Sequence, residues 1–102
     1  MNSIYIDKFF VPAASKDEFV QQSKKTQQFL RELPGHISSA SYIRQEPDGN
    51  YTVVTTAVWE DEDAIATVQD ALTAEYRRTG FDRHAFTQRL GIKRDGQVYQ
   101  QM

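Results

Sequence analysis

The clearest strand in the chain reads YTVVTTAVW, from Tyr51 to Trp59. β-Branched and aromatic residues dominate this segment, and both kinds favour extended backbone. The four residues before it, Pro47 to Asn50, read PDGN and tolerate the backbone angles of a tight turn. The segment His36 to Gln45 precedes the turn and carries spaced apolar residues, so it is predicted as a second strand. Together these segments predict a β-hairpin in the middle of the chain.

The N-terminal third predicts a strand followed by a helix. Ile4 to Val11 is rich in β-branched and aromatic residues and stops before a proline. Ser15 and Glu18 fit the S-x-x-E capping box, which predicts that a helix begins at Ser15. One helix face then repeats at spacings of three and four residues until Pro34-Gly35 ends the pattern. The residues of that face are Phe19, Val20, Ser23, Thr26, Gln27, Leu30 and Leu33.

A second helix is predicted after the central strand. Asp61 can cap it, and Gly80 is placed to end it, with Phe81 folding back toward Tyr76. The neighbouring acidic residues, Glu60 to Asp63, complement a helix dipole, so we interpret them as capping residues rather than as a metal site. The predicted inner face consists of Ala64, Ile65, Val68, Ala71, Leu72, Glu75 and Tyr76.

Two shorter elements complete the chain. Asp82 is predicted to cap a short helix that holds Phe86 and Leu90, four residues apart. The segment Ile92 to Gln100 is predicted as a final strand, which Asp95-Gly96 could interrupt with a turn.

The predicted element order is β-α-β-β-α-β, with a small helical insertion before the last strand. This is the ferredoxin-like arrangement of an α+β protein, an antiparallel sheet with helices on one face. The first strand places Ile4 and Ile6 on one side and Tyr5 and Phe9 on the other, so neither sheet face is polar. We therefore predict a symmetric homodimer whose sheets meet. The alternative is that the C-terminal segment folds across the second face.

The composition excludes several functional classes. The 102 residues are predicted as one domain, 1–102, and a net charge of −2 gives no overall field for nucleic acid or an acidic membrane. The chain has no cysteine, which agrees with a reducing, cytoplasmic location. No apolar run is long enough to span a membrane, and the N-terminus lacks the pattern of a signal peptide. Glycine-rich phosphate loops are absent, which argues against nucleotide cofactors.

The C-terminal third is locally basic. Because acidic residues are interspersed and no nucleic-acid motif is present, we interpret these basic residues as a solvated helical face. They are Arg77, Arg78, Arg83, Arg89, Lys93 and Arg94.

Three stretches resemble the antibiotic biosynthesis monooxygenase family. They are Ile6 to Phe9 with Val11-Pro12, the helix end Leu33-Pro34-Gly35, and Thr55 to Ala64, which reads TTAVWEDEDA. The resemblance implies a ferredoxin-like protomer and a homodimer that forms a dimeric α+β barrel. It also implies cofactor-independent oxygenation of quinol-type aromatics, or haem cleavage in one branch of the family.

Two positions depart from that resemblance. Family members that oxidise aromatic polyketides have an Asn four residues before the strand-end Trp and a Tyr six residues after it. This sequence has Thr55 and Ile65 there. Haem-degrading relatives have an Asn on the first strand, where Asp7 falls, and a helical His as axial ligand, for which His84 is the nearby candidate.

Candidate site residues follow from these positions. The predicted catalytic residues are Asp7 and His84, and the base is either Asp7 or a histidine. An inward carboxylate must be paired or have a raised pKa, and an imidazole accepts protons near neutral pH, although a surface or structural role is the competing interpretation for the histidines. Trp59 and Thr55 are predicted to bind substrate, as are Tyr76 and Phe81. The competing interpretations are core packing for Trp59 and a structural ion pair for Asp7.

The resulting hypothesis is a monooxygenase for a small electron-rich aromatic such as a quinol, working without cofactor or metal. A deprotonated substrate would itself reduce oxygen, while the protein supplies a base, stabilises the anion and excludes water. The alternative is a small-ligand-binding or stress-response dimer with the same fold and no catalysis.

Overall fold

The computed structural model describes residues 2–102 of the chain. Its strands are β1 (Ser3–Val11), β2 (His36–Gln45), β3 (Tyr51–Trp59) and β4 (Lys93–Gln100). Its α-helices are α1 (Lys16–Arg31), α2 (Glu62–Thr79) and α3 (Arg83–Leu90), and a short 3-10 turn, Ala13–Ser15, precedes α1. The predicted order of strands and helices is confirmed. No helix in this described range is long and apolar enough to cross a membrane.

The four strands form one antiparallel sheet in the order β2-β3-β1-β4. This is the predicted ferredoxin-like α+β topology. The register sets Asp7 of β1 between Thr55 of β3 and Gly96 of β4. Directly opposite residues share a sheet face, so these three positions lie side by side.

One face of the sheet carries the helices. Along β3, the buried positions alternate with partly exposed ones and end at Trp59, which is 1% exposed. The buried side chains form two clusters rather than one. The first consists of Val11, Phe19, Val53, Leu90 and Ile92. The second consists of Leu30, Ala57, Trp59, Ile65 and Val68.

The other face of the sheet carries no helix and exposes large apolar side chains among polar ones. Phe10, Tyr42 and Tyr99 lie on it with exposures of 46%, 62% and 49%. The alternative that the C-terminal segment crosses this face is wrong, because β4 extends the sheet edge beside β1 instead. The described chain therefore leaves this face uncovered.

The predicted helix caps after β3 are confirmed. Asp61 accepts a hydrogen bond from the Ala64 amide at 2.9 Å, and Asp82 accepts one from the Ala85 amide at 3.0 Å. Gly80 has a φ of 73°, and the amide of Phe81 donates to the Tyr76 carbonyl at 2.9 Å. The acidic run thus begins a helix, as expected from its charge.

The capping box predicted at Ser15 is wrong. Ser15 ends the 3-10 turn with helical backbone angles, φ −100° and ψ −3°, and makes no side-chain cap. Its hydroxyl donates instead to the carbonyl of Leu90 at 2.8 Å, while Glu18 pairs with Arg89. A long-range contact between α1 and α3 has replaced the local one, because the Ser15 side chain is buried.

The predicted interruption of the last strand is also wrong. β4 runs without a break from Lys93 to Gln100 and pairs with β1 throughout. Gly96 lies inside it and, unlike the other four glycines, has no positive φ. Backbone conformation therefore does not explain why position 96 is a glycine.

Candidate functional site

A polar group lies between the two hydrophobic clusters, on the helix-bearing face of the sheet. The Nε of Arg94 donates to Asp7 Oδ1 at 2.7 Å, and Nη2 of the same guanidinium donates to the Tyr5 hydroxyl at 2.9 Å. Arg94 and Tyr5 come from the strands that flank and contain Asp7, so the sheet register holds all three together. We call Asp7, Arg94, Tyr5 and Gly96 the Asp7 site.

Gly96 makes room for this site. A Cβ at Gly96 would lie 2.2 Å from Asp7 Oδ1, 2.8 Å from the Tyr5 hydroxyl and 3.0 Å from Arg94 Nη2. Glycine inside a strand often marks such a close approach of other groups. Three polar side chains therefore converge over one strand position, and a larger residue there would force at least one of them to move.

The Asp7 carboxyl is partly withdrawn from water but not sealed from it. Its side chain is 16% exposed and that of Arg94 is 29% exposed. Burial raises the pKa of Asp7, and the bond to Arg94 and the charge of Arg83 oppose that rise. The contact with Asp7 helps raise the pKa of Arg94 against the effect of its burial, so the guanidinium stays charged.

Two atoms of the ion pair remain available. Asp7 Oδ2 and Arg94 Nη1 make no hydrogen bond to any residue in the range 2–102. The first can accept a proton, and the second can donate to an anionic oxygen. The arrangement can therefore act on a weakly acidic hydroxyl group.

A cavity of about 400 Å³ lies between α1 and α2, at the end where α2 leads toward α3. Its apolar lining comes from Phe29, Leu72, Tyr76 and Phe81. The Tyr76 ring lies 5.0 Å from that of Phe81, which lies 5.1 Å from that of Phe86. An aromatic ligand would find an edge-on or stacked partner in such a lining.

The segment joining α2 to α3 runs from the cavity wall to Arg83. Phe81 lines the cavity, and the charge of Arg83, two residues later, acts to lower the pKa of Asp7. No residue of the Asp7 site lines the cavity itself.

The structure brings some of the predicted site residues together and separates others. Thr55 is buried directly opposite Asp7, and Tyr76 packs against Phe81 in the cavity wall. Trp59 lies in the second hydrophobic cluster and does not line the cavity.

His84 stands apart from the Asp7 site. It is exposed in the first turn of α3, and its side chain makes no hydrogen bond to the described residues. No contact joins it to Asp7, whose hydrogen-bonded partner is Arg94.

The sequence interpretation missed Arg94, Tyr5 and Gly96. The expectation of a solvated helical face is wrong for Lys93 and Arg94, which lie on β4, and Arg94 points toward Asp7. An inward carboxylate needs a cation nearby, and the alternation of side chains along the neighbouring strand could have identified the residue that supplies it. Among the described residues, no cluster of three or more His, Asp and Glu side chains could hold a metal ion.

A separate feature lies at the far end of the sheet, where His36 meets Trp59. The two rings are 5.2 Å apart and nearly perpendicular, and Nε2 of His36 is buried with no hydrogen-bond partner among residues 2–102. Burial, and to a lesser degree the charge of Arg31, lowers the pKa of His36.

The topology and the inward polar group define a ferredoxin-like α+β protein with a site on the helix-bearing face. Residues 4–77 match the family model for antibiotic biosynthesis monooxygenases. The chain belongs to this family. No curated protein matches the sequence.

Solved structures share the fold at low sequence identity. A candidate monooxygenase from Shewanella loihica PV-4 has 16% identity and a TM-score of 0.75, covering 99% of this chain and 94% of that chain. SnoaB, a cofactor-independent oxygenase from Streptomyces nogalater, has 22% identity and a TM-score of 0.67, covering 99% and 93%. A candidate antibiotic biosynthesis monooxygenase from Bacillus cereus has 21% identity and a TM-score of 0.63, covering 96% and 90%.

We predict that Gly96→Ala destabilises the protein by about 1 to 3 kcal/mol, because the new methyl group overlaps the Asp7 carboxylate. Chemical denaturation measures the change. Repeating the substitution in an Asp7→Ala background tests the cause, since removing the carboxylate relieves the closest contact. Equal costs in both backgrounds would show that Gly96 serves some other purpose.

We predict that protonation of His36 destabilises the fold. Since the pKa of His36 is lower in the folded than in the unfolded chain, its contribution to stability is complete above the unfolded pKa and is lost progressively as pH falls from there through the lower folded pKa. His36→Phe should reduce the fall in the urea midpoint between about pH 7.5 and pH 5.5. The matched control is His84→Gln, at the exposed histidine, and an equal effect of both substitutions contradicts the prediction.

Proposed function

We propose that this protein is a cofactor-independent monooxygenase that acts on a small electron-rich aromatic such as a quinol or an anthrone. The observation that supports this most directly is the partly buried Asp7 carboxyl with a raised pKa, paired with Arg94. A cavity with three aromatic residues in its lining lies between α1 and α2, on the same side of the sheet. Family membership agrees with the reaction class. The identity of the aromatic substrate rests on the chemistry of the site.

The first step is proton transfer from the substrate hydroxyl to Asp7 Oδ2. Carboxyl groups become stronger bases when burial disfavours their charge, so the raised pKa of Asp7 suits this role. The nearby guanidinium of Arg94 keeps a positive charge beside the new anion. The site thus favours an electron-rich phenolate over the neutral phenol.

The anion then supplies the electrons that reduce dioxygen. For an anthrone, the activated ring carbon transfers an electron to dioxygen, and the two radicals combine to a peroxide at that carbon. The peroxide anion takes back the proton held by Asp7 and loses water, so that one CH₂ group and O₂ become one C=O group and H₂O. Substrate carbon is oxidised and dioxygen is reduced, and no other electron donor enters.

The lining of the cavity between α1 and α2 supports the proposal of an aromatic substrate. Tyr76 and Phe81 offer ring surfaces, and Phe81 leads to Arg83, whose charge reaches Asp7. The Thr55 hydroxyl lies opposite Asp7 on the neighbouring strand. We propose that Trp59 supports this region by packing beneath it rather than by touching the substrate.

We predict that the wild-type protein consumes oxygen with an anthrone or a naphthoquinol, and that Asp7→Asn lowers the rate by about 100-fold or more. A Clark electrode follows oxygen, and chromatography identifies the oxidised product. Asp70→Asn is the matched control, since Asp70 is an exposed residue of α2. An Asp7→Asn protein that is folded and as active as wild type would exclude Asp7 as the base.

The second candidate is a ligand-binding or stress-response dimer without catalysis. It is favoured by Thr55 and Ile65, which replace the Asn and Tyr expected from the family resemblance; Ile65 is buried in a hydrophobic cluster. In that case aromatic compounds bind and are recovered unchanged after incubation in air. Recovery of an oxidised product excludes this candidate.

We further propose that the helix-free face of the sheet pairs with that of a second copy. Its apolar residues, including Phe10, Tyr42 and Tyr99, are too exposed for an isolated soluble chain. Joining two such faces would bury on the order of 1,200 Å² or more, the range of stable interfaces. The helices and the Asp7 site would then remain on the outside of the dimer.

We predict a light-scattering mass of two chains and a thermal midpoint that rises with protein concentration. Phe10→Lys should shift the mass toward one chain, because it places a charge on the helix-free face. Val98→Lys is the matched control, since Val98 is 42% exposed but points to the helix-bearing side. Dissociation by both variants, or by neither, would contradict the proposed interface.

A further inference from the structure

The cavity between α1 and α2 combines an apolar surface with a group of polar side chains. Its volume of about 400 Å³ lies in the range of small-molecule sites, in which apolar walls hold the ligand and a few polar groups orient it. The apolar part includes the rings of Phe29, Tyr76 and Phe81. The polar side chains in the lining are Gln22, Lys25, Thr26, Glu75 and Thr79.

Most of these polar side chains already have partners within the protein. The Glu75 carboxylate accepts a hydrogen bond from Nε of Arg78 at 2.6 Å, and this ion pair offsets its negative charge. The Thr79 hydroxyl donates to the Glu75 carbonyl at 3.0 Å. The hydroxyls of Thr26 and Tyr76 lie 3.3 Å apart and share one hydrogen bond, which uses one of their two protons. The other proton is available to an acceptor on a ligand.

Lys25 is the charged group of this lining that has no partner. Its ammonium makes no ion pair with any residue in the range 2–102, and the residue is exposed. Because Glu75 is paired with Arg78, the lining keeps the positive charge of Lys25. Thr26 is the next residue on α1 and lines the same cavity, so an ammonium and a hydroxyl proton are offered from neighbouring positions. Negatively charged acceptor oxygens beside an apolar ring complement both donors.

We propose that the cavity between α1 and α2 binds an aromatic carboxylate and that Lys25 selects the carboxylate. One carboxylate oxygen accepts from the Lys25 ammonium, and the other accepts from the hydroxyl pair of Thr26 and Tyr76. The aromatic body packs against the rings of Tyr76 and Phe81, which are 5.0 Å apart. A cationic aromatic is disfavoured, because it places a second positive charge beside Lys25.

The carboxylate is separate from the hydroxyl group on which Asp7 is proposed to act, because no residue of the Asp7 site lines the cavity. The inference adds a carboxylate to the substrate class and rests on the proposed function for the occupant of the cavity being the substrate. Binding of an aromatic carboxylate is measurable without oxygen or turnover.

The test compares 2-naphthoate with 2-naphthamide, which has the same ring and a neutral substituent. Isothermal titration calorimetry gives the Kd of each probe for the full chain. We expect wild type to bind 2-naphthoate about threefold to tenfold more tightly than 2-naphthamide, which is the effect of one partly exposed charge contact. Raising the salt concentration to about 0.5 M should reduce this ratio, because exposed charges are then screened.

Lys25→Gln should bring the ratio of the two Kd values close to one, because it removes the charge and keeps most of the side chain. The matched control is Lys24→Gln, at an exposed neighbour on α1 that does not line the cavity, and it should leave the ratio unchanged. Phe81→Ala tests the location. It should weaken the binding of both probes by about tenfold without changing their ratio, since the ring contributes apolar surface and no charge.

Equal Kd values for the two probes in wild type, or no binding of either probe, overturn the proposal. A preference that Lys25→Gln retains, or that Lys24→Gln removes equally, also overturns it. If Phe81→Ala does not fold, the two lysine variants still decide, because both positions are exposed. A protein that shows the Lys25-dependent preference but oxidises no aromatic compound has the carboxylate site and lacks the proposed monooxygenase function. A protein that oxidises an anthrone without this preference has the function and lacks the site.

Discussion

The ion pair between Asp7 and Arg94 is the contact around which the inner face of the sheet is arranged. It joins residues that are 87 positions apart in sequence and lies between the two hydrophobic clusters. A carboxylate withdrawn from water needs a partner, so β4 must bring Arg94 to β1 in one register only. A shift by one residue would turn Arg94 to the opposite face of the sheet.

This constraint explains features that packing alone does not. Replacing a buried ion pair by apolar residues is often neutral or stabilising, so such a pair adds little to stability. Here the pair also requires a glycine inside β4, which weakens a strand. The fold thus accepts two unfavourable features at one place, and sites where local rules are broken together are commonly functional ones.

The sequence predicted the elements whose causes are local. Asp61 and Asp82 cap helices by contacts three residues away, and Gly80 ends α2 at the predicted place. The predictions that failed depended on distant partners. The Ser15 hydroxyl reaches Leu90, and Gly96 makes room for Asp7, neither of which a local pattern can show.

The candidate site was likewise predictable only where its causes are local. Asp7 is identifiable from sequence because a carboxylate interrupts an apolar strand, whereas its partner Arg94 belongs to a basic run whose pattern predicts a helical face. The order of strands decides which of them meets Asp7, and that order is set by the whole sheet. Tyr76 and Phe81 were accessible from sequence because a helix end and its C-cap glycine bring them together.

The polar groups of this chain lie at positions other than those that its family resemblance implies. Thr55 and Ile65 remove an amide and a phenol from β3 and α2, and Ile65 instead packs in the second hydrophobic cluster. Hydrogen-bonding groups on the same sheet face come from β1 and β4, as Asp7, Tyr5 and Arg94. The polar groups therefore lie nearer to the β4 edge of the sheet. β4 is an edge strand, and its residue Val98 is 42% exposed. The polar centre of this face is thus a carboxylate and a guanidinium where the resemblance implies an amide and a phenol, so charged groups stand in place of neutral hydrogen-bonding ones.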